Sequence, residues 1–88
     1  MEPAEKVFHE PPFLCVEILS RRDRLEDIQE RIDDYLAFGV RFVWVIDPRS
    51  RRAWGHSATG AQEATEGILR TQNPLLAVPM GDLFDQLD

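Results

Sequence analysis

The sequence lacks several features that would place it in a common class. Its 88 residues include one cysteine, Cys15, so an internal disulfide is excluded. This low cysteine content fits a reducing compartment. No apolar run approaches the length of a membrane span, and the N-terminus has no signal-peptide core. These absences predict a cytoplasmic protein that is not embedded in a membrane.

Common catalytic motifs and excess positive charge are also missing. The chain contains no glycine-rich phosphate loop, paired-cysteine zinc pattern or nucleophile elbow, and Ser20 has only His56 beyond the first ten residues as a candidate triad partner. Acidic residues outnumber basic ones by 16 to 10, for a formal charge of -6. Binding to nucleic acid would therefore need a local basic patch or bound cations.

The length allows one small domain. We expect residues 1–10, which are polar and run into two prolines, to form a leader or the remnant of a longer N-terminal part, and residues 11–88 to form a single partial domain. A hydrophobic fraction of 43% is adequate for a globular fold.

The domain is organised around an apolar run, FLCVEIL at 13–19, which predicts a strand covered on both faces. Its alternation places Glu17 on one face with Phe13, Cys15 and Leu19. An ionised carboxylate in that setting needs a partner, a metal or a raised pKa. The alternative is a half-solvated Glu17, or one paired with an arginine, at the open end of the strand.

A helix and a second apolar strand follow. Asp23 and Glu26 resemble a capping box, and Gly39 is a good helix end. The helical spacing predicts a buried stripe of Leu25, Ile28, Ile32, Tyr35 and Leu36. The strand at 40–46 completes a strand–helix–strand crossover that joins two parallel strands.

The crossover brings two further residues near the first strand. The helix can carry Asp27 and Arg31 back over the C-terminal end of that strand, where open α/β sheets bind ligands. The rest of the chain predicts a small β-rich tail, with strands near 53–57, 62–65, 68–71 and 75–78, and a short helix at 81–87. The fold class is α/β.

Three stretches together resemble the Uma-two family: PPFLCVEILS at 11–20, QERIDDYLAFGV at 29–40 preceded by Asp23-Arg24, and FVWVIDP at 42–48. The resemblance extends over about residues 7 to 88. It implies a restriction-endonuclease-like core of the PD-(D/E)XK type and divalent-metal hydrolysis of DNA phosphodiesters. In that case Glu17 and the Ile18 carbonyl would hold Mg²⁺ or Mn²⁺ and Arg31 would assist catalysis, with the metal activating water.

Two positions depart from the family pattern. No Pro-Asp stands upstream of Glu17, so the first metal ligand is missing and the chain resembles an N-terminally truncated member. Leu19 stands where the motif has lysine; relatives often place that lysine on the next helix, here at Arg31, which cannot act as a base near neutral pH. A structural pair of Arg31 with Asp27 or Glu17 is the competing interpretation.

Three hypotheses follow. The first is an endonuclease family member whose active site is incomplete in this chain, and the second is a non-catalytic remnant that serves as a dimerising or DNA-docking module. The third is an unrelated small α/β binding protein with no ion near Glu17. Without a preceding hairpin, the strand at 13–19 would have an unpaired edge. This predicts a chain that is marginal as a monomer and that forms a homodimer or aggregates through that edge.

Overall fold

The structure is a computed structural model in which residues 10–64 and 66–87 are described, Leu87 for its backbone alone. Of the predicted leader, therefore, only Glu10 lies within the described residues. The elements in chain order are β1 (Leu14–Ile18), α1 (Leu25–Phe38), β2 (Phe42–Asp47), β3 (Arg52–Ser57), β4 (Gly60–Glu63), β5 (Ile68–Arg70), β6 (Ala77–Pro79) and α2 (Met80–Leu87).

The main sheet has four strands in the order β1-β2-β3-β4. β1 and β2 are parallel and joined through α1, which confirms the predicted crossover, and β3 and β4 add antiparallel neighbours. β5 and β6 form a separate antiparallel pair. The fold is thus mixed α/β, and the β1–β2 register sets Glu17 beside Val45.

Each face of the sheet carries its own apolar cluster. On the α1 side, Val43 and Val45 of β2 pack with Ile28 and Ile32 of the helix. On the other side the cluster consists of Trp44, Ile46, Ala53, Leu69 and Phe84. Since four consecutive residues of β2 are buried, this strand is the centre of the core.

The prediction that β1 is covered on both faces is wrong for two residues. Val16 and Ile18 leave 46% and 48% of their surfaces exposed. The apolar cluster on this face, to which the tail contributes Leu69 and Phe84, packs against Leu14 of β1. Among the described residues it does not cover Val16 and Ile18. On the face toward α1, Cys15 and Leu19 pack against the helix cluster as expected.

Helix α1 confirms its predicted end and corrects its predicted start. Gly39 adopts a φ of 114°, and its N–H donates to the carbonyls of Tyr35 and Leu36. The capping box is wrong: Arg24 is the N-cap without a side-chain bond, because the Asp23 carboxylate instead accepts the Ser20 N–H at 2.8 Å. Leu25 is 83% exposed, so the buried stripe starts one turn later, at Ile28.

The tail follows the predicted order of short strands and a final helix, with ends shifted by one or two residues. Phe84 is buried and Leu83 half-buried, as predicted, whereas the side chain of Leu87 lies outside the described residues. Within residues 10–64 and 66–87, no helix has both the length and the apolar character that crossing a membrane requires.

Candidate active site

Glu17 lies near the C-terminal end of β1, with its side chain 17% exposed beneath α1. Arg31 donates through Nε, at 3.1 Å, to Oε1 of Glu17, and its Nη2 lies 3.1 Å from the same oxygen. The Tyr35 hydroxyl donates to the other oxygen, Oε2, at 2.8 Å. Of the alternatives that the sequence left open, the structure therefore shows a carboxylate paired with an arginine.

The crossover explains why these three side chains meet. Arg31 and Tyr35 are four residues apart on α1, so they project from the same helix face one turn apart. Because β1 and β2 are parallel, α1 must run back across the sheet between them, and it passes over Glu17. The sequence predicted Arg31 at this site; Tyr35 was expected only as a core residue.

Asp23 is a member of the cluster that the sequence did not identify. Its Oδ1 lies 3.7 Å from Nη2 of Arg31, so one guanidinium faces two carboxylates. The Ser20 N–H hydrogen bond, above all, and the positive charge of Arg31 hold the pKa of Asp23 below its ordinary value. The signal that the sequence offered was the Ser20-to-Asp23 turn directly after the strand, which resembled a helix cap instead.

Asp27 does not join the site. It is exposed on α1 and forms no ion pair within residues 10–64 and 66–87, so the predicted Asp27–Arg31 pair is wrong. The physical reason is competition, since Glu17 and Asp23 already approach the Arg31 guanidinium.

The surroundings of Glu17 keep two nearby groups protonated. The hydrogen bond to the Glu17 carboxylate, together with burial, raises the pKa of Tyr35 to about 12. Burial and the same negative charge raise the pKa of the Cys15 thiol. Since the thiolate is the nucleophilic form, Cys15 acts here as a small packing residue.

The Ile18 carbonyl lies next to Glu17 and faces away from β2. The Leu19 N–H donates to the carbonyl of Ile46 on β2 at 2.8 Å. Because this N–H and the Ile18 carbonyl belong to one trans peptide, the carbonyl points in the opposite direction, toward the outer edge of β1. The Ile18 oxygen is therefore on the side of the strand that is open among the described residues.

The donor atoms suit a hard divalent cation, but their number is small. Carboxylate and carbonyl oxygens are the ligands that Mg²⁺ prefers. Across the described part of the chain, however, no three His, Cys, Asp or Glu side chains cluster as a metal site, and both oxygens of Glu17 already accept hydrogen bonds. The described residues therefore form no complete cation site.

Arginines surround the same end of the sheet. Arg21, Arg22 and Arg24 follow β1, whereas Arg49, Arg51 and Arg52 lie in or directly after the turn that follows β2, and all six are exposed. Within the described residues, Arg24 pairs with Glu26 and Arg52 with Glu63, while Arg21 and Arg22 form no ion pair. We call these six residues the arginine rim, and the carboxylates of Asp23, Glu26, Asp47 and Glu63 lie among them.

Comparison with known proteins identifies the family of this chain. The Uma2 model, described as "Putative restriction endonuclease", matches residues 2–82. The chain belongs to the Uma2 family. A search of the curated proteins gave no match.

A solved structure shares the fold of this Uma2 chain. It is the crystal structure of a "putative nuclease belonging to DUF820" from Anabaena variabilis, which aligns with a TM-score of 0.70 at 23% identity. The alignment covers 88% of the chain and 46% of the Anabaena protein. The chain therefore spans about half the length of that neighbour.

Proposed function

We propose that the chain belongs to a cytoplasmic, metal-dependent endonuclease that hydrolyses DNA phosphodiesters, with residues 11–88 acting as one domain and an acidic site that is incomplete within one copy. The main support is the contact of Glu17 with Arg31 and Tyr35 at the C-terminal end of a parallel strand pair. Self-association through the outer edge of β1 is part of the proposal.

The side chains at this site have separable roles. Arg31 remains charged at every physiological pH and can clamp a phosphate, but it cannot accept a proton. Tyr35 orients the Glu17 carboxylate through its 2.8 Å hydrogen bond. Glu17 and the Ile18 carbonyl would hold Mg²⁺ or Mn²⁺, and the bound ion would activate water and offset charge on the leaving oxygen.

A non-catalytic DNA-docking module is the alternative. It is favoured by Leu19, which occupies the position of the motif lysine and packs against the cluster under α1. The arginine rim suits this function as well, since phosphate contacts position a protein on DNA without any chemistry. DNA binding and hydrolysis must therefore be measured separately.

The first experiment measures binding to a fluorescent DNA duplex by anisotropy over a series of salt concentrations, with Ca²⁺ in place of Mg²⁺. For Arg21→Ala with Arg49→Ala, we expect weaker binding and a salt slope reduced by about 2, because each lost phosphate contact removes about 0.9. The matched control is Arg70→Ala, an exposed arginine outside the rim. Wild-type binding that shows no salt dependence would contradict the proposal.

The second experiment measures nicking of a supercoiled plasmid with Mg²⁺, Mn²⁺ or EDTA. We expect cation-dependent nicking that Glu17→Gln abolishes while DNA binding stays intact. Binding without nicking in the wild type would favour the docking module. Nicking by both proteins would show that Glu17 is not the acid.

A further inference from the structure

The guanidinium of Arg31 has an inner edge that Glu17 occupies and an outer edge that the described residues leave without a hydrogen bond. Nε and Nη2 both lie 3.1 Å from Oε1 of Glu17, and they form the inner edge. Because a guanidinium carries five N–H donors, Nη1 and the second hydrogen of Nη2 remain and form the outer edge. The side chain of Arg31 is 42% exposed, so a ligand can reach this edge.

The outer edge has the chemistry that binds a phosphate. Its two N–H groups are nearly parallel and match two oxygens of one phosphate, and the guanidinium keeps its charge at any physiological pH. Arg21 and Arg22 of the arginine rim are exposed in the segment that follows β1, at the same end of the sheet. A DNA duplex held by the rim therefore brings backbone phosphates close to Arg31.

Asp23 lies at this outer edge. Its Oδ1 is 3.7 Å from Nη2 of Arg31, which is too long for a hydrogen bond but close enough for an ion pair. The carboxylate therefore leaves the outer N–H groups free to bind another acceptor. It also places a negative charge beside the position that a phosphate would take.

The turn after β1 fixes the Asp23 carboxylate in that position. The Ser20 N–H donates to Oδ2 of Asp23 at 2.8 Å, and the Ser20 hydroxyl donates to the same oxygen at 3.3 Å. The Asp23 N–H donates in return to the Ser20 carbonyl at 3.2 Å. Since these bonds hold Oδ2, the carboxylate cannot turn away from Arg31 without breaking the turn.

We infer that Asp23 is an autoinhibitory residue, whose carboxylate competes with a DNA backbone phosphate for the outer edge of Arg31. The inference rests on the proposed function, because it takes DNA as the ligand. Asp23 then has two opposite effects through one contact: it stabilises the folded chain and it weakens DNA binding. A residue with a purely structural role would not weaken binding, so the two effects together distinguish the inference.

The test measures binding of a fluorescent DNA duplex by anisotropy in EDTA, so that neither a divalent cation nor cleavage contributes. Asp23→Asn removes the charge but keeps an oxygen that can accept the Ser20 N–H. We expect this variant to bind DNA about fivefold more tightly than the wild type, the size of the interaction between two unit charges about 4 Å apart in water. Its urea midpoint at pH 7 should be lower than that of the wild type.

Two further variants separate the local effect from net charge. Asp27→Asn makes the same change in charge one helical turn before Arg31, at a carboxylate outside the site, and should tighten binding less. In an Arg31→Gln background, Asp23→Asn should bring no more gain than Asp27→Asn does. Should Arg31→Gln fail to fold, Arg31→Lys replaces it; lysine lacks the outer edge, so the gain should shrink there as well.

The inference is overturned if Asp23→Asn binds DNA no more tightly than Asp27→Asn, or if its full gain persists without Arg31. Either result with a wild type that nicks plasmid would leave the proposed function standing. The expected gain in a chain that never nicks DNA would refute the proposed nuclease activity alone. Absence of DNA binding by the wild type and by Asp23→Asn would refute both.

Discussion

The hydroxyl of Tyr35 donates to Oε2 of Glu17 at 2.8 Å, and this bond ties the titration of the chain's only tyrosine to the candidate acid. Because the bond favours the protonated phenol, the pKa of Tyr35 rises to about 12. Absorbance of the phenolate therefore reports the charge and position of Glu17 without any substrate.

The first prediction concerns this titration. Glu17→Gln removes the negative charge, so we expect the pKa of Tyr35 to fall from about 12 toward its ordinary value of 10.0. The change is measured from phenolate absorbance, with far-ultraviolet circular dichroism recorded at each pH to confirm that the chain is folded. Glu63→Gln, at a carboxylate paired with Arg52, is the control that should not move the pKa.

The same bond has a consequence for stability at high pH. The pKa of Tyr35 is higher in the folded state than in the unfolded state. The stability that its hydrogen bond to Glu17 contributes is therefore fully present below the unfolded pKa. Here it should be lost between about pH 10 and about pH 12, as the unfolded chain releases the proton first. Urea unfolding across this range should show a steeper loss for the wild type than for Tyr35→Phe. Parallel curves would contradict the prediction.

The second prediction concerns Arg31, which faces both Glu17 and Asp23. Arg31→Ala leaves two carboxylates, one of them 17% exposed, without their cation. Because Arg31 itself is 42% exposed, solvent screens the loss, and we expect a decrease in the free energy of unfolding of about 1 kcal/mol at pH 7. The part of the decrease that comes from Asp23, whose pKa is held below its ordinary value, should disappear as the pH falls through that lowered pKa.

Arg24→Ala is the matched control for Arg31→Ala. Its pair with Glu26 is largely exposed on both sides, so the expected decrease is below about 0.5 kcal/mol. Both variants are measured by urea unfolding. Equal losses for the two arginines would mean that the Glu17 pair contributes nothing beyond a surface ion pair.

The third prediction compares two glycines with positive φ, Gly39 at 114° and Gly60 at 128°. Alanine is strained at both, but only at Gly39 would a Cβ meet a neighbour, Cγ of Pro11 at 2.9 Å. We expect Gly39→Ala to cost about 1 kcal/mol more than Gly60→Ala in thermal or urea unfolding. A larger cost at Gly60 would contradict the described approach of Pro11 to the helix end.

The fourth prediction concerns Thr71, which is 1% exposed. Its hydroxyl donates to the Pro74 carbonyl at 2.9 Å and accepts from the Leu76 N–H at 3.1 Å. Thr71→Val keeps the shape but leaves both backbone groups without this partner, so we expect a loss of about 1–3 kcal/mol in unfolding free energy. Thr59→Val, at an exposed hydroxyl in the β3–β4 turn, should change stability little.

Hydrophobic pattern predicted the parts of this fold that depend on local sequence. The run at 42–46 and the stripe from Ile28 to Leu36 determine β2, α1 and the crossover, and Gly39 ends the helix as expected. Glu17 was identifiable because a charge inside a buried strand requires a partner. Arg31 was identifiable because the helix can return over the end of that strand and because the family resemblance places a cation there.

The remaining features depend on contacts that pattern does not encode. Asp23 can satisfy the Ser20 N–H or cap the helix, and the choice follows from the path of the turn. Leu25 has the spacing of a core residue, but it is 83% exposed because none of the described elements covers it. The contact between Glu17 and Tyr35 likewise depends on where α1 lies along β1, which the hydrophobic pattern does not specify.

The position of Glu17 at the border of the sheet has a consequence for motion. β2 has hydrogen-bonded neighbours on both sides, so its amides should exchange with solvent only in the rarest openings of the molecule. Among the described residues, β1 has a hydrogen-bonded neighbour on one side, so we expect local opening that frees it to cost less than global unfolding. Glu17 therefore lies on the less protected of the two parallel strands. Any chain segment or partner that pairs with the outer edge of β1 should also slow the amide exchange of that strand.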